Sequence, residues 1–162
     1  MIVMKFGGTS VANCEAITRT ISIVRGKLEQ KPVVVVSALS KVTDMLYKIA
    51  DHAAVKNRME ASALMDQLRA RHIGLAHELM SDTPDYCRQA CTIVDRICDD
   101  LASFVGAVCS LGELSDRSKA VIISKGEYLS SNIIWCAMNA RGIKTGYIDA
   151  RKMIITGNDY LK

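Results

Sequence analysis

Lys5-Phe6-Gly7-Gly8-Thr9-Ser10 stands between two patterned segments of this chain, an apolar stretch over residues 1–6 and an amphipathic one over 12–28. The first reads as a short strand, the second as a helix with Ile17, Ile21, Val24 and Leu28 on one face, and residues 7–10 as the tight turn between them. Working outward, Pro32 precedes the β-branched run Val33-Val34-Val35-Val36, the pattern of a strand buried on both faces of a parallel sheet. A polar loop, residues 37–43, follows it. Strand, helix and strand in this order make a βαβ unit, whose ligands sit at the carboxyl ends of the strands. Both polar loops, 7–10 and 37–43, lie at such ends, so the expected class is α/β with its chemistry in those loops.

From residue 44 to 109 the periodicity is helical. Ala61, Met65, Leu68, His72, Leu75 and Leu79 recur at alternating spacings of four and three, and so do Cys87, Cys91, Val94, Cys98, Leu101, Val105 and Val108. Two such seams, interrupted at residues 81–84 where Pro84 falls, predict an antiparallel helical hairpin inserted at about 45–110. Beyond it, 116–125 and 127–140 read as helices meeting at Gly126, the second burying Leu129, Ile133, Cys136 and Ala140. Gly142 stands where a left-handed helix cap is expected. Residues 143–148 and 153–155 are predicted as strands, while 157–162 is polar and carries no core pattern. A doubly wound sheet with so few strands is an incomplete domain.

With 162 residues, 49% of them hydrophobic, the chain can bury one core. Its net charge of +4 comes from scattered Lys and Arg, which excludes the contiguous basic stripe that tracks a nucleic-acid backbone but suits a small polyanion such as a nucleotide. Residues 1–5 lack a signal-peptide pattern and no apolar run reaches membrane-spanning length, so no membrane partner and a cytoplasmic location are expected. The six cysteines, Cys14, Cys87, Cys91, Cys98, Cys109 and Cys136, form no C-x-x-C pair and fit free thiols in a reducing compartment.

Three places carry candidate chemistry. Gly7 and Gly8 let the backbone turn closely around a ligand, the following helix offers unpaired N–H groups to an anion, and Lys5 is within reach of the same anion. That is a phosphate cradle unlike the Walker A loop, or else an ordinary Gly-Gly turn beside a surface lysine. In Ser37-Ala38-Leu39-Ser40-Lys41-Val42-Thr43-Asp44 the hydroxyls can donate to phosphate or carboxylate oxygens with Lys41 adding charge, or Thr43 or Asp44 simply caps a helix. Glu127 is either a counter-charge for a substrate ammonium group or a favourable acid in a helix first turn. No metal site is expected: His77-Glu78 lacks the second histidine of H-E-x-x-H because Ser81 occupies that position, and His72, placed opposite Cys91 or Val94, reads as a hydrogen-bonded core histidine.

The run Lys5-Phe6-Gly7-Gly8-Thr9-Ser10-Val11 resembles the opening signature of aspartate kinases in the amino-acid kinase superfamily. Residues 33–44 resemble the second strand and substrate loop of that family, 124–131 the helix with its substrate-binding glutamate, and 147–151 the next strand and Asp-x-Arg turn. The resemblance implies a three-layer αβα fold with a helical insertion, of which residues 1–162 are the amino-terminal portion; the remainder of the kinase domain and the ACT domains are missing. It further implies transfer of a phosphoryl group from ATP, carried with Mg2+, to the β-carboxylate of L-aspartate, giving 4-phospho-L-aspartate, the first step of lysine, threonine and methionine biosynthesis. Lys5 would act in catalysis and, with Gly7, Gly8 and Thr9, hold ATP; Ser37, Thr43 and Glu127 would hold the substrate; the full-length protein would be a homo-oligomer. The isolated chain is expected to be inactive. Two other readings stay open, a non-catalytic assembly or regulatory module and a superfamily kinase with another acceptor.

Overall fold

The computed structural model describes residues 1–154 and Gly157. Strand β1 (Ile2–Phe6) and strand β2 (Pro32–Val36) run parallel, in the register Ile2 to Pro32 through Phe6 to Val36, and are the strands of the described residues. Between them runs helix α1 (Cys14–Arg25). Asn13 caps it by accepting the Ala16 N–H at 2.9 Å, so the helix starts later than residue 12, and it ends at Gly26. Ile17, Ile21 and Val24 are buried as expected. Leu28 is not on that face: it falls in a short 3-10 turn and is 43% exposed.

Alternation decides the burial of the sheet. Met4, Phe6, Val34 and Val36 pack on the helical core, whereas Val3, Val33 and Val35 are 69%, 44% and 43% exposed on the other side. The expectation of a β2 buried on both faces is therefore corrected, because the helices of the described residues cover one face only.

The rest is helical: α2 (Val42–Ala54), α3 (Arg58–Leu79), α4 (Pro84–Leu111), α5 (Asp116–Ile123) and α6 (Lys125–Ala140). Helices α3 and α4 form the expected hairpin, joined through residues 80–83. Its antiparallel sense is visible in the contacts Arg58–Ser110, Arg69–Asp95 and His77–Cys87, which approach the connection in turn. The apolar stripe of α4 is wider than its four-three seam, with Ala90, Ile97 and Cys109 also buried, because α4 packs on α2 and α6 as well as on α3. None of the helices is long and apolar enough to cross a membrane among the described residues.

Helices α5 and α6 meet at Ser124 rather than Gly126. Gly126 lies inside the first turn of α6, where a Cβ would stand 2.8 Å from Ala38 Cβ and 3.1 Å from Leu46 Cδ1. At the other end of α6, Gly142 (φ 76°) follows the cap residue Arg141. The bonds Gly142 N–H to Asn139 O and Ile143 N–H to Met138 O complete a Schellman motif.

Residues 143–149 form no strand. Their backbone bonds go to side chains of α6 instead: Trp135 Nε1 donates to Thr145 O at 2.9 Å, and Asn139 accepts from Thr145 N at 3.3 Å while donating to its hydroxyl at 2.9 Å. Met153 closes a 3-10 turn (Ala150–Lys152), so the second predicted strand is absent at its described positions; Ile155 and residues 158–162 lie outside the described residues.

His72 is wholly buried, its Nδ1 2.7 Å from Leu68 O. Burial lowers its pKa to about 4. The unfolded chain, with a histidine pKa of about 6.5, takes up this proton first as the pH falls. Stability is therefore full above about pH 6.5 and declines towards pH 4, by up to about 3 kcal/mol if this group acts alone. Urea unfolding across that range should show the decline, with a shallower slope in His72→Leu. In the same assay Gly126→Val is expected to cost about 1–3 kcal/mol through overpacking. Gly74→Ala, on an open face of α3 with nothing within 4 Å, should stabilise by about 0.5–1 kcal/mol.

Candidate functional site

The parallel ladder continues one step past both strands, since Ser37 N–H donates to Phe6 O at 3.0 Å. That bond sets the loop after β1 beside the loop after β2. Gly7 is extended, and Ser10 N–H donates back to Gly7 O at 2.9 Å to close a 3-10 turn over Gly8–Val11. Behind it, the buried Thr20 hydroxyl of α1 donates to Ser10 O at 2.8 Å, and Val11 is buried. The turn is thus anchored at its far end while Gly7 and Thr9 remain exposed. Gly8 lies against the second loop, with its Cβ position 3.4 Å from Ala38 O and 4.0 Å from Ser37 Oγ.

The second loop enters α2 through Lys41, which holds φ 65° and is the cap residue. Neither Thr43 nor Asp44 caps the helix, which removes that one of the two alternatives; Val42 N–H donates to Leu39 O, and among the described residues no side chain caps the first turn. Thr43 is half-buried in that turn.

The first turn of α6 closes the site from the third side. Glu127 Oε1 accepts the Ala38 N–H at 3.4 Å, and the buried Ser130 hydroxyl donates to Ser37 O at 2.8 Å. Glu127 is otherwise exposed. Gly8, Ser37 and Glu127 are therefore brought together around the Ala38 peptide.

Lys5 stands apart from that group. Paired with Val35, it is exposed on the uncovered face of the sheet with Val3 and Val33, whereas α6 packs from the core side. It forms no ion pair among the described residues.

The segment 147–151 is held by charge and stacking. Arg151 donates from Nε and Nη2 to the two oxygens of Asp149 at 2.9 and 2.7 Å, which holds the Asp149 carboxyl below its usual range, and its guanidinium lies 4.2 Å from the Tyr128 ring centroid. Tyr147 packs beside Tyr128 and Trp135, its hydroxyl 3.2 Å from Ser131 Oγ. Lys125, half-buried next to Tyr128, has its pKa lowered by burial. An open cleft of about 890 Å³ borders this segment, lined by Arg88, Arg96, Tyr128, Trp135 and Tyr147 among others. None of the residues of the two loops lines it.

Sequence reasoning missed Ser130, the Ala38 N–H and the packing role of Gly126. A serine inside a helix and an alanine in a loop carry no signal of a partner some ninety residues away. Gly126 did carry one, because a glycine in a helix first turn weakens it unless something comes close. Ser130→Ala leaves Ser37 O without that donor and is expected to cost about 1–3 kcal/mol in urea unfolding. Amide exchange should at the same time quicken at residues 37–41.

Residues 1–161 match the model of the amino acid kinase family. An aspartokinase of Chlamydia muridarum is 32% identical over 162 residues, covering 99% of this chain and 32% of that protein. Aspartokinase 3, chloroplastic, of Arabidopsis thaliana is 29% identical over 161 residues, covering 98% of this chain and 27% of that protein. Among solved structures, E. coli aspartokinase III in complex with lysine and aspartate superposes with a TM-score of 0.83 at 24% identity, over 99% of this chain and 34% of that one. The same enzyme with aspartate and ADP gives 0.81 at 24% identity. The chain thus spans about a third of the length of these relatives.

Proposed function

Because this chain belongs to the amino acid kinase family, we propose that it is the amino-terminal part of an aspartate kinase, transferring the γ-phosphoryl group of ATP to the β-carboxylate of L-aspartate. The observation that carries the reading is the convergence of Gly8, Ser37 and Glu127 on the Ala38 peptide. It joins a turn with exposed backbone, an uncapped helix start and one exposed carboxylate. The aspartokinase relatives, and the complexes of E. coli aspartokinase III with aspartate and with ADP, support the same acceptor and donor.

In this proposal Gly7, Gly8 and Thr9 wrap the ATP phosphates, and the Lys5 ammonium offsets charge building on the transferring group. The first turn of α2, with Thr43, and the Ser37 hydroxyl face the phosphoryl group and the substrate carboxylate. Glu127 holds the α-ammonium group of aspartate. The acceptor carboxylate is ionised near neutral pH and needs no general base, so the work of these residues is in-line positioning and charge stabilisation. Mg2+ enters with the nucleotide as part of the substrate, held chiefly by phosphate oxygens.

The helical insertion at 45–110, a homo-oligomeric state and a cytoplasmic location belong to the same proposal, the last supported by six cysteines that all stand as free thiols. The uncovered sheet face carrying Val3, Lys5, Val33 and Val35 supports a domain completed by further elements. The chain by itself is then expected to turn over no aspartate.

The test is a hydroxamate assay for the acyl phosphate with the complete gene product. Lys5→Ala should lower kcat by about 10²–10³-fold. Glu127→Gln should act mainly on the KM for aspartate. Full activity in Lys5→Ala overturns the proposed role of that residue. Phosphorylation of glutamate or carbamate in preference to aspartate assigns a different acceptor, and no phosphorylation by the complete product favours a non-catalytic module.

A further inference from the structure

His77 stands in the last turn of α3, and Cys87 and Cys91 stand one helical turn apart at the start of α4. The hairpin register brings His77, rather than His72, to the cysteines. His77 Nδ1 lies 3.4 Å from Cys87 Sγ, and its Nε2 lies 3.9 Å from Cys91 Sγ. One ligand atom from each of the three residues falls within 4.8 Å of the others. We propose that His77, Cys87 and Cys91 form a zinc site that staples the end of α3 to the start of α4.

The spacing fits the chemistry. Tetrahedral zinc, with bonds of about 2.3 Å to sulfur and about 2.0–2.1 Å to nitrogen, separates a sulfur from a nitrogen ligand by about 3.6 Å. The contact from His77 Nδ1 to Cys87 Sγ, 3.4 Å, is close to that value. Zinc takes one imidazole nitrogen, so binding turns the ring until that nitrogen faces both sulfurs. His77 is exposed and free to turn. Cys87 is buried and Cys91 half-buried. The charges match as well: two thiolates neutralise one Zn2+.

The step balances simply. Zn2+ exchanges water for the imidazole nitrogen and two sulfurs, both thiol protons leave to solvent, and one water stays in the fourth position. No electron moves. Binding requires both thiols to lose their protons, so zinc uptake should weaken as the pH falls. Thioether-free, oxygen-poor ligation of this type selects zinc over magnesium or calcium.

The experiment uses the purified protein, reduced with a phosphine and freed of metal. Cobalt(II) titration should give tetrahedral d–d bands and a thiolate-to-cobalt charge-transfer band, saturating at one ion and abolished by zinc. Zinc addition should release about two protons in a weakly buffered indicator assay and raise Tm. His77→Ala and Cys91→Ser should each lose affinity by about 100-fold or more, since even an outer partner of a metal ligand is worth about 10–100-fold. Circular dichroism checks that both variants fold, and Cys14→Ser, outside the cluster, should bind as the parent does. No charge-transfer band, or binding that survives both cluster variants, overturns the site.

Discussion

The contact on which the rest of the site depends is the seat of α6 on the loop after β2. Gly126 allows the helix backbone to come within touching distance of Ala38, Val42 and Leu46, and nothing larger fits there. Once seated, α6 supplies two polar ties to the same loop, Glu127 to the Ala38 N–H and Ser130 to Ser37 O. A loop that would otherwise be free to sample many backbone states is held by both its amide and its carbonyl. The ladder bond from Ser37 to Phe6 then passes this order to the glycine turn.

The same seat explains why so helical a chain keeps an α/β character. Its two strands are short, and their parallel pairing needs the crossover through α1 and a cover on the core face. Helix α6 packs on β2 to provide that cover, and Arg25 and Arg141 tie α1 to its end, Arg25 donating to Arg141 O at 2.6 Å and Arg141 to the Thr18 hydroxyl at 3.3 Å. The hairpin of α3 and α4 leans on this unit through α2 and α6 and is zipped by its own apolar stripes, with Arg69 bridging Asp95 and Asp99 on its surface. The partly exposed setting of that ion pair makes it a register mark more than a source of stability.

Where the sequence reading departed from the structure, one kind of cause recurs. Residues 143–148 have strand-like composition, but a strand exists only through a neighbour, and the side chains of Trp135 and Asn139 took the backbone bonds that a neighbour would have taken. Residues 33–36 carry the pattern of a doubly buried strand, and one face is open because none of the helices among the described residues lies there. Gly126 looked like a break between helices and is instead a contact.

Local pattern determined a good deal by itself: the strand, glycine turn and helix around Gly7 and Gly8, the second strand, the long helical hairpin and the cap at Gly142. Each depends on neighbours in sequence, through periodicity, capping and backbone preference. Tertiary structure alone decided that Gly8, Ser37 and Glu127 meet at one peptide, that Lys5 emerges on the opposite sheet face, and that His77 reaches two cysteines across the hairpin. Those outcomes are set by the angle and depth at which helices pack, and packing distance is a property of pairs of surfaces that no single stretch of residues contains.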